Sequence, residues 1–320
     1  MTIQGCGDLS IYLSILAPCL TLLTDFGLRD SYVGVMKGVV RAIAPTLPVV
    51  DLTHAVAPQD VAAARFHLMS AYLYFPPGTI HVVVVDPGVG STRRAIALAL
   101  PEADPPGIIV APDNGVISGV LSQQSEAAIA SMRAVELTCR DYWRVATPSF
   151  TFHGRDIFAP VAAHLASGVP LAQVGRDVSV DSLVRLPIPP AKVQSRHMAG
   201  TIQHIDHFGN GITTLSATEL LELRMRLENG AAETIAEPKG WLEHGASNPS
   251  LQVRLHTAKR SYDLPAHTTY NQVSPGDGLA LMGSHGWLEI AVNQGSAAQM
   301  FDMNVGDPVE MRLRSKEDSL

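Results

Sequence analysis

Several signatures that would assign a function class outright are missing from this 320-residue chain. There is no GxxxxGK[ST] loop and no GxGxxG after the first apolar run, so neither a P-loop nor a dinucleotide fingerprint is available. Cysteine is scarce: Cys6, Cys19 and Cys139 match no zinc motif or disulfide framework, which points to a reducing compartment. Charge is sparse too, at 17% of residues and a net −7, and no lysine/arginine run stands out. That argues against nucleic acid or an anionic membrane as partner. No apolar run reaches the roughly 20 residues that a membrane span needs. The start of the chain, MTIQGCGDLSIYLSILAPCL, is apolar over a short stretch, but Asp8 is its only charge and no basic region precedes SIYLSILAP. Pro18 before Cys19 also disfavours lipoprotein cleavage. Residues 1–19 are therefore expected to be an extension without a function of its own, on a cytoplasmic protein.

What is present is an alternation of strand and helix patterns. LTLLT (20–24), LPVVDLT (47–53), TIHVVVVD (79–86), AIALAL (95–100) and GIIVAPD (107–113) read as strands. SYVGVMKGVVRAIA (31–44) and PQDVAAARFHLMSAYLYF (58–75) read as helices, with further helical stretches near 116–122 and 156–167. This order implies βαβ units and a mainly parallel sheet, an α/β domain over residues 20–187. A proline-containing linker is expected over 188–197. Beyond it GTIQHID, LQVRLHT, GLALMG, WLEIAV and PVEMRLR alternate as short strands, which predicts a smaller antiparallel β domain over 198–320.

In HVVVVDPGVGSTRR (81–94) four valines fit a strand buried on both faces, and Asp86 ends it with Arg93 and Arg94 across a glycine-rich turn. Asp25 in LLTDFG and Asp113 in IIVAPDNG stand at equivalent places. Ligands of open parallel sheets bind beyond the carboxyl ends of the strands. Three acids on one rim predict a shared pocket, although an aspartate there also serves to cap a helix or close a turn. The DFG at 25–27 is not a kinase element, since no glycine-rich loop, strand lysine or HRD precedes it. SFTFHGRDIFAP (149–160) sets His153 before a helical run in which Asp156 is a candidate cap. HIDHFGNGITT (204–214) offers His204, Asp206 and His207, but on a strand His207 points away from the other two, so three converging metal ligands require a bend.

Together LTLLTDFGLRDSYVGVMKGVV, VDLTHAVAPQD, HVVVVDPGVGSTRR, APDNGV, TFHGRDIFAPVAAHLA, IDHFGN and GSHGWLEIAVNQGSAA resemble the S-adenosyl-L-methionine (SAM) hydroxide adenosyltransferases, hydrolases of the fluorinase/chlorinase superfamily. The resemblance runs in order from about residue 20 to 310. It implies a Rossmann-like N-terminal domain, a C-terminal β-barrel, and a homotrimer whose active sites lie at subunit interfaces. The implied reaction takes SAM and water to adenosine and methionine, without metal or cofactor. It carries a triad onto Asp86, Arg93 and His153, with Arg94 the competitor for the arginine role. It carries ribose binding onto Asp25, an aromatic near the nucleoside onto Phe152, methionine binding onto Asp206, Asn210 and Ser284, and adenine reading, largely through backbone, onto Val292 to Gln294.

Where the halogenating relatives have a tyrosine this chain has Asp86, and where they have a serine it has Gly154. A carboxylate would repel a halide. Gln59 replaces a stacking aromatic, and His285 replaces an arginine. A metal-dependent phosphoesterase using Asp25, Asp86, His153 and Asp206, and a non-catalytic SAM sensor, are the alternatives. A methyltransferase would need the glycine fingerprint that is missing.

Overall fold

In a computed structural model of the chain, residues 19–101, 107–194, 196–230 and 251–313 are described. The chain divides into two compact units, Met1–Leu186 and Pro187–Leu320. Of the extension expected over 1–19, only Cys19 falls within the described residues. It is buried, and its carbonyl accepts from the Ile80 N–H at 2.9 Å, so it begins the first strand's pairing instead of ending an extension.

The first unit is built on strands β1 (Leu20–Thr24), β2 (Val49–Thr53), β3 (Ile80–Val84), β4 (Ala95–Ala99), β5 (Ile108–Pro112), β6 (Arg133–Glu136) and β7 (Arg176–Val178). They form one sheet in the order β2-β1-β3-β5-β4-β6-β7. Strands β2, β1, β3 and β5 are parallel neighbours, while β4 and β7 run against the rest, so the sheet is mostly parallel with a mixed far side.

The valine run shows why. Along β3, Ile80, Val82 and Val84 belong to one core with Met36 and Val40 of the helix Tyr32–Ile43 and with Phe158, Val161 and Ala162. Val83 and Val85 belong to the opposite core, with Ala64 and Leu68 of the helix Val61–Ala71 and with Ile117 and Val120. Alternate side chains thus serve two helix layers, which is what an unbroken β-branched run requires.

The second unit is antiparallel. Its strands are β8 (Lys192–Gln194), β9 (His197–Ile205), β10 (Gly211–Ser216), β11 (Leu251–His256), β12 (Ser261–Pro265), β13 (Gly278–Met282), β14 (Trp287–Val292) and β15 (Pro308–Leu313). They follow the order β12-β11-β15-β9-β10-β14-β13, and a bridge from Ala266 to Ala280 brings the two ends together into a nearly closed barrel. Along β11, Leu251, Val253 and Leu255 point into its core and alternate with half-buried residues. The linker expected over 188–197 is corrected in part. Lys192–Gln194 pair with β9, and His197 is already in that strand, because the Lys-Val-Gln alternation suits a barrel edge.

Candidate active site

Asp25, Asp86 and Asp113 all follow parallel strands that are neighbours in the sheet. The structure separates their duties. Asp86 faces Arg93: the Arg93 Nε donates to both carboxylate oxygens, at 2.9 and 3.0 Å, and its Nη2 closes a second contact on Oδ2. That same Nη2 lies 2.9 Å from His153 Nδ1. The guanidinium also sits over the Phe158 ring, 5.2 Å from its centroid, which holds the cation's plane. Both ionic side chains are largely shielded, Asp86 at 4% and Arg93 at 10% exposure.

Since Arg93 can only donate, His153 Nδ1 must accept, and the imidazole proton is on Nε2. Burial pushes the His153 pKa down and the Arg93 charge adds to this, against smaller opposing effects from Asp86 and Asp156. His153 is therefore a neutral imidazole that presents an Nε2–H donor.

Arg94, the competing arginine, is committed elsewhere. Its Nε donates to Asp113 at 2.8 Å and its Nη1 to the Ser182 hydroxyl at 3.0 Å, while Asp113 also accepts the Val184 N–H at 2.8 Å. The pocket expected of three acids is thus corrected: Asp113 anchors the 182–184 segment, and Asp25 and Asp86 remain. Asp156 is corrected as well. It lies inside a π-helical turn, Gly154–Phe158, fully buried, not at a cap. It accepts from Arg155 at 2.7 Å and from the Ser149 N–H at 2.9 Å. Burial pushes its carboxyl up, but those bonds and the Arg155 and Arg144 charges bring it below the usual value. Asp156 thereby fixes the loop 149–153 that delivers His153.

Asp25 accepts the Gln59 N–H at 2.7 Å. Gln59 has φ +68°, rare for a residue with a side chain, so it contributes its backbone at the place where an aromatic was compared. Phe152, Phe26 and Tyr32 form a mutual aromatic cluster, with Phe152 edge-on to the other two at 5.9 and 5.2 Å between centroids. A cleft of about 580 Å³ in the same unit, lined among others by Ile129, Met132, Arg133 and Asp181, shares none of these residues.

In the second unit, Asp206 and Asn210 form the β9–β10 turn. The Asp206 carboxylate accepts the Phe208 and Asn210 N–H groups at 2.9 and 2.8 Å and the Asn210 amide at 3.2 Å. Ser284 is exposed in the β13–β14 turn, where Gly286 N–H bonds the Gly283 carbonyl. The register places these two turns at opposite ends of β14. Val292 is buried, and its carbonyl accepts Gly295 N–H, while Gln294 turns the chain through φ +56°.

Sequence reasoning missed Glu289 and Tyr270. Glu289 is buried, accepts the Tyr270 hydroxyl at 2.7 Å and faces His285 Nε2 at 3.3 Å. Burial, the bond to Glu289 and the nearby Glu289 and Asp206 charges push the Tyr270 phenol up, so these groups form a polar track between the two turns. Glutamate in an apolar strand, WLEIAV, is the signal that could have marked it. Among the described residues no group of three or more His, Cys, Asp or Glu is arranged to hold a metal ion.

Known proteins resemble this chain along most of its length. The model of the SAM hydroxide adenosyltransferase N-terminal domain matches residues 20–175, and that of the C-terminal domain matches 200–310. The chain belongs to the SAM hydroxide adenosyltransferase family. An (R)-S-adenosyl-L-methionine hydrolase of Salinispora tropica is 39% identical over 91% of this chain and 96% of its own length. One from Thermus thermophilus is 37% identical over 90% and 97%. A solved structure described as an uncharacterized conserved protein from Thermotoga maritima superposes with a TM-score of 0.75 at 34% identity, covering 92% of this chain and 99% of that one. In this member of the SAM hydroxide adenosyltransferase family, none of the helices among the described residues is long and apolar enough to cross a membrane.

Proposed function

We propose that the protein hydrolyses SAM to adenosine and L-methionine, with water attacking the ribose C5′. The observation that carries this reading is the single guanidinium of Arg93 joining Asp86 to His153 at the end of β3. As the water oxygen bonds to C5′, the C5′–S bond breaks and its electron pair stays on sulfur, so methionine leaves as a neutral thioether. The water proton passes to the Asp86 carboxylate and then to solvent. Arg93 holds that carboxylate in one orientation, and the neutral His153 donates through Nε2 to the water or the nascent hydroxyl. A lone pair is unavailable at His153 Nδ1, which already faces Arg93, so Asp86 is the proton acceptor. Positioning does the rest, since the sulfonium needs no acid to depart.

Asp25 binds the ribose hydroxyls and Phe152 the nucleoside. Asp206 and Asn210 hold the methionine portion, and Val292 to Gln294 read adenine. No cofactor or metal takes part. A cation would be repelled where Arg93 already occupies the space between Asp86 and His153, which speaks against the phosphoesterase alternative. The enzyme acts in the cytoplasm as a homotrimer with each site shared by two subunits. Exposed Leu28, Phe150 and Phe208 on loops, and Tyr32 at the start of its helix, supply apolar surface for such an assembly.

The test is incubation of chelator-treated protein with SAM in ¹⁸O-water and mass spectrometry of the products. Adenosine labelled at the 5′-hydroxyl together with methionine is the expected outcome. Binding without turnover would indicate a sensor, and activity restored only by added metal would overturn direct attack by water.

A further inference from the structure

Beside Asp25 lies a file of polar side chains that the hydrolytic reaction does not use. It draws on Asp51-Leu52-Thr53-His54, a stretch to which the family resemblance assigns no task. Thr24 Oγ is 2.8 Å from His54 Nδ1, His54 Nε2 is 3.0 Å from Asp51 Oδ1, and Lys37 Nζ donates to Asp51 Oδ2 at 2.6 Å. Thr24 is fully buried and His54 is 5% exposed.

The protons in this file have one consistent placement. Burial pushes the Asp51 carboxyl up, but the hydrogen bond from Lys37, its charge and the His54 ring bring it below the usual value, so it is an ionised acceptor. The ionised carboxylate 3.0 Å away favours a proton on His54 Nε2, although that N–H is not aligned as a hydrogen bond, and this tautomer leaves a lone pair on Nδ1 for the Thr24 hydroxyl hydrogen. With its hydrogen directed at His54, Thr24 Oγ turns a lone pair to the Phe26 N–H, 3.2 Å away. The His54 carbonyl accepts the Gly27 N–H at 2.8 Å. Both residues after Asp25 are therefore tied to His54, one through Thr24 and one through its main chain. Gly27 has φ +65°, a conformation that holds the turn sharp.

We propose that His54 is a positioning residue for SAM: through Thr24 and its own carbonyl it sets the Asp25–Phe26–Gly27 turn, and so aims the Asp25 carboxylate at the ribose. Asp51 and Lys37 keep His54 in the tautomer this requires. The proposal rests on the hydrolase reading, in which Asp25 binds and Asp86 reacts. A group acting only through Asp25 changes binding and leaves the chemical step alone, whereas a merely structural histidine lowers the amount of folded enzyme without altering KM.

The experiment is steady-state SAM hydrolysis by the full-length protein, with adenosine affinity measured by calorimetry. His54→Ala and the isosteric Thr24→Val are each expected to raise KM about tenfold and weaken adenosine to match, with kcat within about twofold of wild type. His54→Asn, which keeps an acceptor for Thr24, should recover most of the loss. Adding His54→Ala to Asp25→Ala should cost nothing further, because the two effects act through one carboxylate. Unchanged KM and adenosine affinity in the variants, additive losses in the double variant, or a fall confined to kcat would overturn the proposal. If His54→Ala does not fold, Thr24→Val decides through the same cycle. Wild-type turnover with normal KM in the variants removes the positioning proposal alone. Wild-type protein that neither hydrolyses SAM nor binds adenosine removes the hydrolase reading and this proposal with it.

Discussion

Replacing Asp86 with asparagine preserves the side chain's size and removes its charge, and the arrangement around Arg93 determines the effect. Arg93 would keep His153 but lose its ionic partner, and the proton acceptor would be gone. General-base catalysis is worth about 10² to 10⁴-fold, so kcat for SAM hydrolysis in Asp86→Asn should fall by roughly that factor. Substrate affinity, which depends on other residues, should change by less than about tenfold, or 1.4 kcal/mol. Single-turnover rates and equilibrium binding measure the two separately. Wild-type turnover would reduce Asp86 to the residue that ends β3.

At the scale of elements, the π-helical turn Gly154–Phe158 is what points His153 at Arg93, and Gly154 is its tight spot. A Cβ there would lie 3.1 Å from Met36 Sδ and 3.3 Å from Phe152 Cε2. The thioether can give way, so Gly154→Ser should fold, with a loss on the order of 1 kcal/mol from overpacking. The displaced Phe152 ring should raise KM more than it lowers kcat. Thermal melts and steady-state kinetics check this, and a variant unchanged in both would mean that the spacing does not matter.

The same element shows where sequence reading stops. Repeated apolar character announced β3 and its two faces, and alternation announced β11, because burial imposes those patterns directly. A π-helical turn has no periodicity of its own, and Asp156 inside it reads like any helix cap. The short strands β6 and β7 escaped because 3–4 residues carry too little pattern. Asp86, Arg93 and His153 could be nominated from motifs. The separate duty of Arg94 on Asp113 could not, since both arginines lie in the turn ahead of β4 and only the folded turn decides which acid each one meets.

For the whole molecule, the buried histidines link stability to pH. His81 is 2% exposed and shares a hydrogen bond with Thr21 Oγ at 2.9 Å, and burial pushes its pKa down to about 4. The folded state keeps it neutral while the unfolded chain protonates it near the ordinary value of about 6.5. Between those values the unfolded state holds the extra proton, so stability rises with pH. The contribution is fully present above pH 6.5 and is lost as the pH falls towards 4. Urea unfolding at pH 7 and pH 5 should show His81→Asn losing about 2 kcal/mol less than wild type over that interval. Equal losses would assign acid sensitivity to other groups, among them His67 and His164, which burial also pushes down.

Asp25 and Asp86 hang from adjacent parallel strands paired in register, Thr24 opposite Val84. The separation of the two strand ends is therefore set by the main-chain ladder, and the turns beyond it set the aim of each carboxylate. Asp25 can keep its hold on a ribose while position 86 changes identity, because neither depends on the other for its place. Such a scaffold lets descent exchange the attacking group one substitution at a time, under an unaltered nucleoside grip, and a lineage built on it can diversify its chemistry without first relearning its substrate.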